Sequence, residues 1–576
     1  MKAHQKYEET NLYKVRHTAA HLLAMAALEY DPEVKLAIGP PIDNGFYYDF
    51  EFTKPVSEET LKDLEKSMRK LVGRNFPIEH KFLSRNEALG QTKKFKQTFK
   101  EELINDLPDQ ELSHYGIDTF WDLCKGPHVA KTGEVKALKL LSIAGAYWRG
   151  SENNPMLTRI YGTAFESQKE LDTYLAQLEE AKKRDHKKVG PALDLFVFSE
   201  LVGPGLPLWT PKGMVVRQLL DDFVWQLRRE KGYDRVEIPH LAKKDLYEKS
   251  GHWEKFKDDL YVIETREGKQ FVVKPMNCPH HTQIFARKRW SYRDMPQRYA
   301  NTTMVYRDEQ SGELSGLSRV LSITQDDAHV FCRPDQVNNE LLAVWDIVEK
   351  FYGRFGFGLR VRLSVRDKSA PEKYLGSQEL WESAEQSLEK MAIKKKADYF
   401  IGEGEANFYG PKLDFMASDS LGREWQVATI QLDMNLPKRF ELNYINADGK
   451  EEEVVMIHAA IMGSIERFTS ILIEHTGGDF PVWLAPVQAV VLPISEKFDS
   501  YAASVASELK AAGVRFELDN SSESLGKRIR IAETQKIPFI LVVGAKEEES
   551  KTISVRSRKT PEQTTQTTQD LIKEIA

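Results

Sequence analysis

The chain has 576 residues, 41% of them hydrophobic and 29% charged, and a net charge of −6. That length exceeds a single hydrophobic core and implies about three or four domains of ordinary globular composition. No run approaches the roughly 18 uninterrupted apolar residues of a membrane span, and the acidic total does not exclude a nucleic-acid partner, because phosphates are met by local basic patches.

The N-terminus, MKAHQKYEETNLYKVRH, has no apolar core and no small-residue cleavage site, so it does not read as a secretory signal. Only three cysteines occur, Cys124, Cys278 and Cys332, too few and too scattered for a disulfide framework; a reducing cytoplasm is the compartment this implies. A helical pattern runs from His17 to Leu28, then turn-rich IGPPIDNGFYYDF, then further helices and short strands to about residue 165. From Ser167 to Lys188 the pattern is one exposed helix, acidic early and basic late as the helix dipole favours. Its basic end, Lys182, Lys183, Arg184, Lys187 and Lys188, reads either as a solvated helix end or as a phosphate-binding patch. Residues from about 189 to 483 mix helices with Gly-punctuated strands such as KQFVVKPMNCP and REWQVATIQLDM, without regular βαβ spacing, which predicts a largely antiparallel sheet flanked by helices. The last segment alternates VQAVVLPI, SYAASVASELKAAG, VRFELD, LGKRIRIAETQKI and PFILVVG, the pattern of an α/β module with a mostly parallel sheet. TPEQTTQTTQ near the end reads as a solvated tail.

Two sets of histidine and cysteine stand out. His17 and His21 lie four apart on a helical pattern, and Cys124 and His128 are also four apart, so each pair could share a helix face and point into one pocket. Together they are enough for a tetrahedral metal site, with Asp122 and a KGPH turn beside them. Cys278, His329 and His458 are far apart, and spacing alone would never connect them.

Their surroundings do. KPMNCP at Cys278, TQDDAH at His329, IHAAIMGSIERF from His458, MPQRYA, YRDEQSGELSGLSRV, NFYGPKLDF and WQVATIQLDM closely resemble the threonyl-tRNA synthetase family. RHTAAHLL, IGPPIDNGFYYDF, DLCKGPH and AGAYWRGSENNPMLTRIYGTA resemble that family's editing domain, and PVWLAPVQAVVLPI with the α/β module after it resembles its anticodon-binding domain. The resemblance implies an α+β and α/β multidomain protein: an N-terminal α+β editing domain with a linker helix (1–188), a class II catalytic domain on an antiparallel sheet (189–483), and a C-terminal α/β anticodon-binding domain (484–576). The small ubiquitin-like N-terminal domain usual in bacterial members has no counterpart in this sequence.

The function so implied is ATP-dependent ligation of L-threonine to tRNA(Thr) through threonyl-adenylate, with hydrolysis of mischarged seryl-tRNA(Thr). Arg307 matches the motif 2 arginine on the α-phosphate, where a planar fork of donors suits the task. Glu309 and Arg319 match adenine-side and phosphate-side positions, Arg467 the motif 3 arginine that stacks on adenine, and Gln426, Thr429 and Ser464 further ATP-side positions. Cys278, His329 and His458 would hold one zinc ion per subunit, with room left for threonine's amino group and hydroxyl. Asp327 matches the carboxylate that accepts the hydroxyl proton, and Gln325, Tyr409, Lys412 and Gln431 match other substrate-side positions. His17, His21, Tyr48, Asp122, Cys124 and His128 match the editing pocket, which the resemblance implies is metal-free although the quartet by itself could take a second zinc. Magnesium is expected with ATP, and a homodimer through motif 1, around GYDRVEIPHL with Pro239. The chain departs from the family pattern at His280 (usually Gly), Ser315 (His), Leu321 (Arg) and Ala459 (Arg), which touches the ATP and tRNA contacts but no zinc ligand.

Overall fold

The computed structural model describes residues 7–558, 560 and 562–575; the first six residues of the N-terminal stretch and Pro561 of the Thr/Gln-rich segment lie outside them. The chain forms two compact units, which divide between Glu179 and Glu180. No described helix is long and apolar enough to cross a membrane.

In the first unit the helix Asn11–Tyr30 starts where Thr10 accepts the backbone N–H of Tyr13, relieving one of the unpaired donors of a helix start. Its residues 15–24 are buried on every side, because it packs on the strands Gly45–Glu51 and Met156–Phe165 and on the helix Glu58–Gly73. A helix buried all round is a central one, and here it takes Arg16, His17, Thr18 and His21 inside with it. Val15, Leu22, Leu23, Phe46, Phe50, Leu64, Met68 and Ile160 form its core. A separate antiparallel sheet, Ile78–Ser84, Glu111–Ile117 and Phe120–Leu123, carries Asp122.

The second unit is built on an eight-stranded sheet. Its central strands, Gln297–Tyr306, Ser322–Cys332, Val455–Ser464, Glu424–Asp433, Lys412–Ser418 and Gly358–Val365, pair antiparallel in that order. Only the outermost pairings, with Asp234–Arg235 and Tyr399–Glu403, are parallel. The helices Val337–Gly353 and Ile465–Thr476 pack on the sheet, burying Trp345, Phe351, Tyr352 and Phe468. Each such side chain contributes about 1.5–3 kcal/mol by leaving water, and the two polar tips among them are matched: Tyr352 Oη donates to the Ile461 carbonyl at 2.7 Å and Trp345 Nε1 to Glu349 at 2.8 Å. One layer of the sheet is thereby fixed, and its other face is free to carry polar side chains.

Three expectations are corrected. The predicted single helix to Lys188 ends at Arg184; Asp185 caps a new helix, His186–Ala192, in which His186 is buried. Arg184 bonds Glu180, Ser420 and the His475 carbonyl, so it holds the fold together. In the C-terminal module Ala489–Pro493 pairs parallel with Phe516–Leu518 and Phe539–Val543, but Ile553–Ser557 and Gln563–Gln566 add antiparallel, so the sheet is mixed. The Thr/Gln-rich stretch is therefore no tail: it supplies the edge strand and leads into the helix Thr568–Ile575.

Candidate active site

The strand Ser322–Cys332 alternates its side chains between two faces. Thr324, Asp326 and Ala328 turn to the buried layer, while Ile323, Gln325 and Asp327 line a cavity of about 610 Å³. Antiparallel register then sets a row across the sheet: His329 stands opposite His458, His458 opposite Gln431, and Gln431 opposite Lys412. Residues as many as 129 positions apart are made neighbours by pairing alone.

The buried face locks this row in place. Asp326 accepts the N–H groups of Ile461, Met462 and Gly463, each at 2.9 Å, and is paired with Arg228 at 3.2 Å. Burial still pushes its carboxyl up to about 6. Glu466 accepts the N–H and hydroxyl of Thr324 at 2.8 and 2.7 Å. Both carboxylates act on backbone and bind the Ser322–Cys332 and Val455–Ser464 strands at their irregular crossing.

At one end of the cavity, ligand atoms of Cys278, His329 and His458 all lie within 4.8 Å of one another. Cys278 opens the helix Cys278–Phe285. His329 Nδ1 meets His281 Nδ1 at 2.8 Å, and its Nε2 faces His458 Nδ1 at 3.1 Å. His458 Nε2 is 2.8 Å from Asp433 Oδ2, whose partner oxygen Oδ1 accepts the N–H of Asn435 and Leu436. Each histidine thus has one ring nitrogen held by a neighbour and the other turned to a common point beside a thiol. A soft thiolate and two imidazoles with their outer nitrogens occupied is a donor set that fits a divalent metal. Burial pushes the Cys278 thiol well up and the His329 imidazole well down. Asp327, Tyr409, Gln325 and Gln431 line the cavity next to them.

The other end is cationic. Arg307, Arg319 and Arg467 line it with Glu309, Gln426, Thr429 and Ser464. Ser464 caps the helix Ile465–Thr476 by accepting the Arg467 N–H, which sets where that guanidinium begins. Arg319 is paired with Glu309 at 2.6 Å and Glu313 at 2.9 Å. Of the unusual positions, Ala459 lines the cavity, Leu321 packs against Gly205, the Ser315 N–H bonds the Arg319 carbonyl, and His280 is buried near Tyr247 with neither ring nitrogen partnered.

Residues 261–476 match the family described as tRNA synthetase class II core domain (G, H, P, S and T), and residues 488–576 the family described as anticodon binding domain. Residues 112–161 match the second additional domain of threonyl and alanyl tRNA synthetases. The threonine--tRNA ligase of Acetivibrio thermocellus is 48% identical over 94% of this chain and 85% of its own length; that of Thermus thermophilus is 49% identical over 94% and 85%. The chain belongs to the threonyl-tRNA synthetase family. Among solved structures, the RNA binding domain of threonyl-tRNA synthetase from Cryptosporidium parvum is similar with a TM-score of 0.65 and 38% identity, over 68% of this chain and 97% of that one. A prolyl-tRNA synthetase from Giardia lamblia, at 16% identity and a TM-score of 0.55 over 70% of this chain and 76% of its own, shares the fold.

The pocket of the first unit, which draws Asp122, Cys124 and His128 from the stretch matching the second additional domain, is equally defined. His17 Nε2 and His128 Nε2 each lie 3.2 Å from Cys124 Sγ, and the four ligand atoms with His21 fall within 4.8 Å. His17 and His21 share a helix face as expected, but Cys124 and His128 do not: they sit on a loop, because Gly126 takes a φ of +67° and Pro127 has no N–H to give a helix. Tyr48 Oη donates to Asp122 Oδ2 at 2.7 Å. Burial lowers His17 to about 4 and raises the Cys124 thiol to about 12, so both are uncharged near neutrality.

Three residues near these sites escaped the sequence reading. Lys100 pairs with Asp122 at 2.6 Å in the first unit, both buried. His252 Nε2 lies 3.8 Å from Cys278 Sγ, and Asp433 holds His458. SGHW and QLDM offered a polar residue beside a breaker or strand end, a signal too common to act on.

Proposed function

We propose that this chain joins L-threonine to ATP as threonyl-adenylate and transfers it to tRNA(Thr), and that its first unit hydrolyses seryl-tRNA(Thr). The observation that carries this reading is one cavity with two chemically distinct ends, a Cys278–His329–His458 cluster and an Arg307–Arg319–Arg467 group. Threonine's carboxylate would lie between them, with Arg307 on the α-phosphate stabilising charge as it develops on the in-line attack. Arg467 would stack on adenine, with Gln426, Thr429, Ser464, Glu309 and Arg319 completing the nucleotide end. Asp327 accepts the side-chain hydroxyl, and Gln325, Tyr409, Gln431 and Lys412 orient the amino acid. One zinc ion held by Cys278, His329 and His458 would supply a Lewis-acid position for the amino group and hydroxyl, and Mg²⁺ would accompany ATP.

Valine matches threonine in shape but brings no hydroxyl to a site built to bind one, a loss of several kcal/mol. Serine lacks only a methyl, which limits discrimination to roughly 10–200-fold. A second, hydrolytic site meets that shortfall: burial holds His17, His21 and His128 neutral, so their ring nitrogens can accept a hydrogen bond from a water molecule and orient it, and Tyr48, Asp122 and Cys124 shape the pocket. We assign this pocket no metal.

The proposed division is an editing domain with its linker helix to residue 188, a catalytic domain over 189–483 and an anticodon module over 484–576. A homodimer through the edge strand at Asp234–Arg235 and Pro239, and a cytoplasmic location, complete the reading. ATP–pyrophosphate exchange across a panel of amino acids, with metal analysis of the purified protein, tests it. Threonine should drive exchange with one zinc per chain; strong exchange with proline but not threonine sinks the assignment. His17→Ala and His21→Ala should slow hydrolysis of preformed Ser-tRNA and leave threonine exchange intact. Light scattering at equilibrium should give twice the chain mass.

A further inference from the structure

The buried His186 lies outside the cavity yet touches a loop that lines it. It opens the helix His186–Ala192 directly after the linker helix, with Asp185 as cap. Its Nε2 accepts the backbone N–H of Leu317 at 3.1 Å. Because that nitrogen accepts, the ring proton sits on Nδ1, which donates to Glu474 Oε1 at 2.6 Å. The His186 N–H reaches the same oxygen at 3.2 Å. Glu474 Oε2 is in turn paired with Arg423 at 2.7 Å, and Arg423 with Asp419. Asp185, His186 and Glu474 are close enough to suggest a cation site, but both imidazole nitrogens are committed and Arg423 already neutralises the carboxylate. The cluster is a clamp.

Its grip falls on the loop between Arg307 and Leu321. Gly316 approaches so closely that a Cβ there would lie 2.3 Å from His186 Nε2, and its φ of +50° is itself a glycine conformation. The next residues, Ser318, Arg319 and Val320, line the cationic end of the cavity. Ser318 Oγ meets Ser470 Oγ at 3.1 Å on the helix that also bears Arg467.

We infer that His186 is a positioning residue for ATP: with its tautomer fixed by Glu474, it pins the Leu317 N–H and so holds Ser318–Val320 at the nucleotide end. This rests on the ligase reading above. Nothing in it requires contact between His186 and substrate. The junction of the linker helix is therefore tied mechanically to the ATP loop.

The test uses the full chain and three variants. In His186→Asn the shorter carboxamide keeps a donor for Glu474 and loses the acceptor for Leu317. Loss of one buried hydrogen bond predicts an ATP KM raised about tenfold in threonine-dependent exchange. The threonine KM and Ser-tRNA hydrolysis should stay within about twofold. His186→Gln, whose carboxamide oxygen reaches the Nε2 position, should recover most of the ATP affinity. Gly316→Ala should reproduce the Asn phenotype from the loop side. Calorimetric titration of ATP reads the same affinity without turnover. A chain that exchanges no amino acid sinks the ligase reading. An Asn variant that binds ATP like the unaltered chain, or a Gln variant no better than Asn, overturns the role of His186.

Discussion

Asp433→Asn isolates the group that orients His458. Asp433 Oδ1 accepts two backbone N–H groups, from Asn435 and Leu436 at 2.8 and 2.9 Å, while Oδ2 faces His458 Nε2 at 2.8 Å. Asparagine keeps an oxygen for the two backbone donors, so its NH₂ must occupy the Oδ2 position. There it meets Nε2–H, donor against donor. The imidazole relieves the clash by moving its proton to Nδ1, the nitrogen that faces His329 Nε2 at 3.1 Å, and a protonated nitrogen cannot bind metal. Outer partners of metal-binding histidines are worth about 10–100-fold in affinity, or about 1.4–2.8 kcal/mol. Loaded with zinc, the proposed metal, the variant should release it to a chelating indicator at least tenfold more readily. Its threonine KM should rise while its ATP KM stays level, since the cationic end is untouched. A variant that holds zinc within twofold of the unaltered protein, with an unchanged melting temperature, would refute the tautomer argument.

Arg307→Ala should cut threonine-dependent exchange by about 10²–10³-fold with little change in threonine KM, as loss of a donor to developing charge does; steady-state exchange kinetics check it. Lys100→Met leaves Asp122 buried beside Tyr48 and His21 without its cation, so the first unit should lose about 3–5 kcal/mol, seen as an earlier calorimetric transition; a loss under about 1 kcal/mol would count against the pair. His17 is lowered from 6.5 to about 4, so between those values the unfolded chain binds a proton that the folded one refuses. Stability from this group is therefore complete above pH 6.5 and falls with pH, by about 2 kcal/mol at pH 5 and about 3 kcal/mol once pH passes 4. Calorimetry at pH 7.5 and 5 should show that loss shrinking in His17→Gln.

Helices and strands were legible where periodicity was strong, and connections where their length was decisive. The i,i+4 spacing of His17 and His21 gave a shared helix face, yet the same spacing at Cys124 and His128 gave a loop, because Gly126 and Pro127 stand between them. The mixed C-terminal sheet follows from the short segment 544–552, which is less than the dozen residues a parallel crossover needs. Cys278, His329 and His458 carried no spacing signal, since two of them meet through cross-strand register. Asp326, Glu466 and Asp433 were invisible for a different reason. Their partners are backbone N–H groups, a hydroxyl, a guanidinium and a ring nitrogen from distant elements, and in sequence nothing distinguishes such a carboxylate from a solvated one.

The two histidine–cysteine clusters are alike in composition and opposite in charge setting. The largest charge effects on Cys278 come from the carboxylates of Asp327 and Asp433, with the Arg307 cation opposing them more weakly. Among the described residues each carboxylate is ion-paired only with a histidine and with no lysine or arginine, and together they favour a dication in the space the three ligands face. Around Cys124 the nearest carboxylate, Asp122, is already matched by Lys100 at 2.6 Å. A dication placed there would meet an ammonium group instead of an uncompensated negative charge, at a cost that falls only slowly with distance in a buried pocket. Neutral imidazoles beside a protonated thiol are then left to handle a water molecule. Composition allows metal in both clusters; the fixed charges around them favour it at the Cys278 cluster, in line with the function proposed above.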